Sequence, residues 1–165
     1  MTLLLRKVQQ KRWYAATTIP DNPLPADPLA DLNTKDNALS LWEVFDDSSN
    51  LTDVVTALAA TMQHLSNVDI VLFDSRLVPQ LGLQLDMTRA VTPYAPAASY
   101  HRDIVRLTAQ AILELGDALR REGRFVEFSE KRVADLLAQA IRSGPLSTDE
   151  LNPKVVSRLS RKGLL

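Results

Sequence analysis

The strongest constraint on the fold is a helical repeat of apolar residues that lies between two strand-like segments. The repeat keeps the spacing of one helix face and consists of Leu51, Val54, Val55, Leu58, Met62 and Leu65. Ser49 or Asn50 is suited to cap this helix, which should end near Leu65. The flanking segments 38–45 and 68–73 have the composition of strands. We therefore predict a βαβ unit over about 38–74, with parallel strands.

The remainder of the first 99 residues predicts further strands around a long excursion. Segment 2–14 is a strand candidate, although its Leu, Arg, Lys and Gln residues also suit a short helix. Segment 17–37 contains four prolines within nine positions, which excludes a helix or a central strand. Three leucines of this excursion are available to attach it to the core: Leu24, Leu29 and Leu32. A short helix near 75–80 and a strand near 83–88 complete this part.

From residue 99 onward the pattern becomes helical. An apolar stripe from Ile104 to Leu119 predicts a helix that starts near Ser99 and ends at Gly123. Ser129 should cap the next helix, and Asn152-Pro153 should begin a last short one. We therefore predict a single domain, 1–165, of the α/β or α+β class. It should have a small sheet of three to four strands in 1–99 and a helical half, 100–165, packed on that sheet.

Composition limits the classes of function that the chain can serve. The 165 residues include no cysteine, which excludes disulfides and thiolate metal sites. Nineteen basic and twenty acidic residues leave a net charge of -1, which disfavours a protein that coats nucleic acid. No apolar run approaches the roughly 18 residues of a membrane helix, and segment 1–5 lacks the order of a secretory signal. We expect a cytoplasmic protein without a membrane partner.

Three residues are candidates for catalysis. Asp74 follows the buried strand 68–73, at the end where α/β sheets collect their chemistry, and Arg76 is two residues further on. His101 opens the predicted long helix and is suited to proton transfer. These groups serve a reaction only if they converge. We expect instead that Asp74 caps the next segment and that His101 lies at the surface, apart from Asp74. Because no HExxH spacing and no Gly-rich phosphate loop occurs, we predict no metal and no cofactor.

Two further groups are candidates for binding. Trp13 and Tyr14 follow a basic stretch, and Trp and Tyr are frequent at binding hot spots, so we expect Trp13 to be exposed at a partner interface. Arg158, Arg161 and Lys162 lie beyond the last acidic residue and are suited to contact phosphates. A solvated basic tail is the competing interpretation of this second group.

These features support one leading hypothesis and two alternatives. The leading hypothesis is a non-catalytic protein interaction or regulatory module of the cytoplasm, which binds a protein partner or a second copy of itself. The first alternative is a nucleic-acid-associated factor that uses its basic termini, which the overall charge disfavours. The second is a small hydrolase or transferase built on Asp74, Arg76 and His101.

Overall fold

Six strands form one antiparallel sheet at the centre of the protein. The computed structural model describes residues 2–18 and 23–165, without the side chains of 15–18. The strands are β1 (Leu3–Val8), β2 (Leu39–Val44), β3 (Val68–Asp74), β4 (Gln84–Met87), β5 (His101–Val105) and β6 (Arg124–Phe128). They lie in the order β4-β5-β2-β1-β3-β6, and every neighbouring pair is antiparallel. The predicted small sheet of three to four strands is therefore wrong, and the fold is α+β with a six-stranded sheet.

Helices cover both faces of this sheet. They are α1 (Gln10–Thr18), α2 (Leu51–Ala60), α3 (Leu77–Gln80), α4 (Ala109–Glu122), α5 (Glu130–Ser143) and α6 (Pro153–Arg161), with 3-10 turns at Asp27–Leu32, Ala95–Tyr100 and Thr148–Glu150. One hydrophobic cluster joins the first face of the sheet to α2, α5 and α6. A second cluster joins the opposite face to α1, α3 and α4. No helix among the described residues has the length and apolar character that crossing a bilayer requires.

The predicted βαβ unit exists, but another strand divides it. Strands β2 and β3 are connected through α2 and run in the same direction, because each is antiparallel to β1. They are not hydrogen-bonded neighbours, since β1 lies between them. The predicted first strand also ends earlier than expected, at Val8, and α1 begins at Gln10. Both alternatives considered for segment 2–14 are thus realised, one after the other.

Strands β5 and β6 occupy segments for which the sequence predicted a helix start and a connection. Residues 101–105, predicted as the start of the long helix, form β5, which pairs with β2 on one side and β4 on the other. Helix α4 begins only at Ala109, where Thr108 caps it by accepting a hydrogen bond from the Ala111 amide at 3.2 Å. Strand β6 occupies the expected connection between Gly123 and Ser129. Two-sided pairing of β5 satisfies its backbone groups, which outweighs the helical spacing of its few apolar residues.

Helix α2 has its expected start and buries most of the predicted apolar stripe, but it does not have its expected end. It stops at Ala60, not near Leu65. Thr56, off the predicted apolar stripe, is only 3% exposed, whereas Leu58 on the stripe is half-buried. The Thr56 hydroxyl donates to the Thr52 carbonyl at 2.7 Å, so its burial leaves no hydroxyl proton unpaired. Leu58 instead faces a surface cleft, described below.

The described part of the proline-rich excursion, 23–37, packs on α4 as expected. Leu32 is buried in the second cluster, and Leu29 packs against that cluster. Helix α4 admits these side chains at Gly116, where an added Cβ would come within 2.7 Å of Leu24 Cδ2. The glycine thus lets these leucines approach the helix closely, and an added Cβ would displace the end of the Leu24 side chain. Pro20, which contributed to the prediction, lies outside the described residues.

Candidate binding site

The central sheet splits open between β1 and β2. Their ladder stops at the pair Leu5–Trp42. Beyond this pair β1 continues to pair with β3 as far as Val8, and β2 continues to pair with β5 as far as Leu39. The two halves of the sheet therefore separate at this end. A gap in the middle of a sheet exposes polar backbone groups, so these need partners from elsewhere.

The side chain of Arg6 bridges the split. Its Nη1 donates to the Ser40 carbonyl at 2.7 Å, and its Nε donates to the Asp31 carbonyl at 2.9 Å. Its Nη2 donates to Asn33 Oδ1 at 2.9 Å. Burial lowers the pKa of Arg6, and the charge of Asp31 acts in the opposite direction. With its donors engaged in this way, Arg6 holds β1, β2 and the end of the excursion in position.

The proline-rich excursion forms one wall of the split, and Asp31 anchors this wall. The residue is only 7% exposed, and its carboxylate accepts three hydrogen bonds. The donors are the Gln9 amide at 2.8 Å, Arg12 Nη1 at 2.6 Å and the Trp13 indole Nε1 at 2.9 Å. A buried carboxylate is stable only with such partners. The network fixes the excursion to the junction of β1 and α1.

Trp42 and His101 form the floor of the split on the first face of the sheet. They are register partners on β2 and β5, and their rings meet edge to face with centroids 5.2 Å apart. His101 Nδ1 lies 2.7 Å from Thr88 Oγ1 and 3.9 Å from Asp103 Oδ2. Desolvation lowers the pKa of His101, which Asp103 opposes and Arg102 reinforces. Desolvation therefore disfavours the charged form of this imidazole.

These elements enclose a cleft of about 550 Å³, which we call the central cleft. Lys7, Ser40, Trp42 and His101 line the sheet side, and Leu58 of α2 and the segment 89–91 line its borders. Three cations line it, Arg6, Lys7 and Arg89, against one carboxylate, Asp31. Because Asp31 is already hydrogen-bonded to its own network, the cleft presents an excess of positive charge. It is suited to hold an anionic group through charge-assisted hydrogen bonds.

The structure does not bring the three predicted catalytic residues together. Asp74 accepts hydrogen bonds from the Arg76 amide at 2.9 Å and from its guanidinium Nη2 at 2.5 Å. This partner lowers the pKa of Asp74. His101 lies on β5, three strand spacings from β3, or roughly 14 Å across the sheet. Proton transfer needs hydrogen-bond reach, so Asp74 and His101 cannot share a reaction centre. Among the three, His101 alone lines the central cleft.

The predicted partner-binding pair separates into a core residue and a surface residue. Trp13 is 1% exposed and packs on Phe125, with ring centroids 5.3 Å apart. The expectation that Trp13 is exposed is therefore wrong, because its indole N–H is needed by Asp31 inside the protein. Tyr14 is 71% exposed. Neither side chain lines the central cleft.

The predicted nucleic-acid residues lie on α6, where Glu130 neutralises part of their charge. Glu130 Oε1 lies 3.0 Å from Lys162 Nζ and 3.3 Å from Arg158 Nη2. Lys162 and Arg158 lower the pKa of Glu130. Arg158 and Arg161 line a separate pocket of about 490 Å³ with Lys154. This pocket shares no residue with the central cleft.

Sequence reasoning noticed the basic stretch that contains Arg6 and Lys7 but did not identify a site there. Trp42 lies in segment 38–45, which was predicted as a strand, and Arg89 belongs to no recognisable motif. The available signal was the charged pair Arg6 and Lys7 after three leucines of β1, because a charged side chain in a central strand requires partners. Within the described residues, no group of three or more His, Asp or Glu side chains is arranged to hold a metal ion.

No protein-family model, curated protein or solved structure is significantly similar to this chain.

Proposed function

We propose that this protein is a non-catalytic interaction module, and that the central cleft binds an anionic group of a protein partner. The split between β1 and β2 is the observation that carries the proposal, because it opens a built cavity in the middle of the sheet. Lys7 and Arg89 supply positive charge at the cavity, and Trp42 supplies an aromatic surface. The proposal keeps the cytoplasmic location that the sequence favours.

Two features favour binding over the hydrolase or transferase alternative. The candidate acid Asp74 is engaged by Arg76, far from His101. The Nδ1 of His101 lies 2.7 Å from Thr88 Oγ1, and burial lowers the pKa of this imidazole, so His101 is positioned as a hydrogen-bonding wall of the cleft. Leu58, Ala90 and Val91 add apolar contact area at the edge of the cavity. A mixed lining of this kind is typical of sites that bind side chains of another protein.

The test is a nuclear magnetic resonance titration of labelled protein with a blocked aspartate, in which both backbone ends are capped. We expect shifts of the Trp42 indole and of amides in segments 7–9 and 89–91. Blocked asparagine, the neutral isostere, should shift them much less. The double variant Lys7→Gln/Arg89→Gln should lose most of the response, whereas Lys131→Gln, an exposed charge on α5, should keep it. Equal responses to the two ligands, or a response confined to other surfaces, would contradict the proposal.

A further inference from the structure

Two further clefts continue the central one on either side. A cleft of about 600 Å³ shares segment 7–9 with it and extends to Asp69 and Glu127. Another of about 450 Å³ shares Arg6, Asn33 and Ser40 with it and extends to segment 34–36 and Asp103. We call the three together the rim groove. It runs along one end of the sheet across β6, β3, β1, β2 and β5.

The length of the rim groove sets the size of its ligand. Neighbouring strands lie about 4.8 Å apart, so five strands span roughly 19 Å. An extended chain advances about 3.3 Å per residue, so a segment of about six residues fills this length. A single amino acid or a small metabolite would occupy the central cleft alone and leave both flanking clefts open.

The charge pattern of the rim groove selects a peptide over a nucleic acid. When each residue is counted once, the central cleft has three cations and one carboxylate, so it has an excess of cations. One flanking cleft adds Lys11 together with the two carboxylates of Asp69 and Glu127. The other adds Lys35 together with the two carboxylates of Asp36 and Asp103. A nucleic-acid strand carries a phosphate at every nucleotide and would place phosphates against these carboxylates. A chain with one central anion and uncharged or mixed flanks matches the pattern.

The remaining lining offers hydrogen-bond partners that a peptide backbone can use. Amide and hydroxyl side chains occur along its length: Gln9, Gln10, Asn33, Thr34, Ser40, Ser66 and Asn67. Asp69 accepts from the Gln10 amide at 3.0 Å through Oδ2. Its Oδ1 is buried and has no hydrogen-bond partner within the described residues.

We propose that the rim groove binds an extended segment of about six residues from a partner protein, with an Asp or Glu side chain near its middle held between Lys7 and Arg89. This inference rests on the proposed function of the central cleft and adds the kind of partner. Arg6 is a positioning residue here, because its guanidinium keeps the two halves of the sheet bridged.

The test is selection of a random twelve-residue peptide library displayed on phage against the full-length protein. We expect selected sequences to share one acidic residue flanked on both sides by mainly polar, weakly charged residues. A synthetic peptide of that consensus should bind measurably by calorimetry. Replacing its acidic residue by the matching amide should weaken binding at least about tenfold, because a charge-assisted hydrogen bond is lost. Lys7→Gln/Arg89→Gln should have a similar effect, and Lys131→Gln should have none.

The outcomes separate this inference from the proposed function. If blocked aspartate shifts the central cleft but no acidic consensus is selected, the peptide inference fails and the anion site stands. If neither ligand acts at the cleft, both proposals fail. If a single-stranded oligonucleotide binds at near-physiological salt more tightly than the best peptide and Lys7→Gln/Arg89→Gln abolishes its binding, the ligand is a nucleic acid and the peptide inference is wrong.

Discussion

Replacing Asp31 by alanine should strongly destabilise the protein. The substitution removes the common acceptor of the Gln9 amide, Arg12 and the Trp13 indole. The Trp13 N–H is buried, so leaving it unpaired costs about 1–3 kcal/mol, and the Gln9 amide adds a similar loss where water cannot reach it. Arg12 is 31% exposed and regains water, so its share is smaller. We expect a total of about 3–5 kcal/mol, within the range for breaking a buried charged network.

Urea unfolding followed by tryptophan fluorescence measures this loss, because Trp13 lies in the network. Asp31→Asn, which retains one carbonyl acceptor, should be destabilised less than Asp31→Ala. Glu122→Ala, an exposed carboxylate at the end of α4, is the matched control and should change stability by no more than about 0.5 kcal/mol. If Asp31→Ala and Glu122→Ala lower the free energy of unfolding equally, the excursion is not held by this network and the argument is refuted.

Two other predictions test the packing of the sheet and the floor of the cleft. Gly123→Ala should lower stability by about 1–3 kcal/mol in urea unfolding, because its Cβ would lie 2.4 Å from the Leu119 carbonyl oxygen and 2.6 Å from Val71 Cγ2; unchanged stability would show that this junction is looser than described. Burial lowers the pKa of His101 from its ordinary 6.5 in the folded protein. As pH drops through 6.5, the unfolded chain therefore binds a proton at His101 before the folded protein does, and the free energy of unfolding should fall. His101→Gln should reduce that fall between about pH 7.5 and about pH 5.5, whereas exposed His64→Gln should not, and identical pH profiles for the two variants would contradict the desolvation of His101.

Local signals in the sequence determined the last two helices, α5 and α6. Ser129 caps α5 by accepting from the Arg132 amide at 3.3 Å, and Asn152 caps α6 by accepting from the Lys154 amide at 3.0 Å. Gly144 ends α5 in the left-handed conformation, with φ of 99°. Each of these signals acts over two or three residues, so it is visible in the sequence without knowledge of the fold. The apolar segment 68–73 was likewise recognisable as a buried strand.

Tertiary structure decided how many strands there are and how they are ordered. Strands β5 and β6 have little local signal. They pair with β2 and β3, whose residues lie about 50 to 65 positions away along the chain, as in the pair Leu39–Ile104. The place of β1 between β2 and β3 also depends on pairing across long separations. Such contacts form only when distant segments meet, so no spacing rule along the chain reveals them.

The candidate site was decided almost entirely by tertiary structure. Arg6 reaches Ser40 and Asn33 across 34 and 27 residues, and Asp31 reaches Trp13 across 18. The sequence by itself determined that these charged residues must find partners, because an unpaired charge within the core is too unfavourable to retain. It left open which partners they find. The split of the sheet decided the partners of Arg6, because it left the Ser40 carbonyl without a ladder partner on β1. The same split created the cavity that Trp42, Lys7 and Arg89 line.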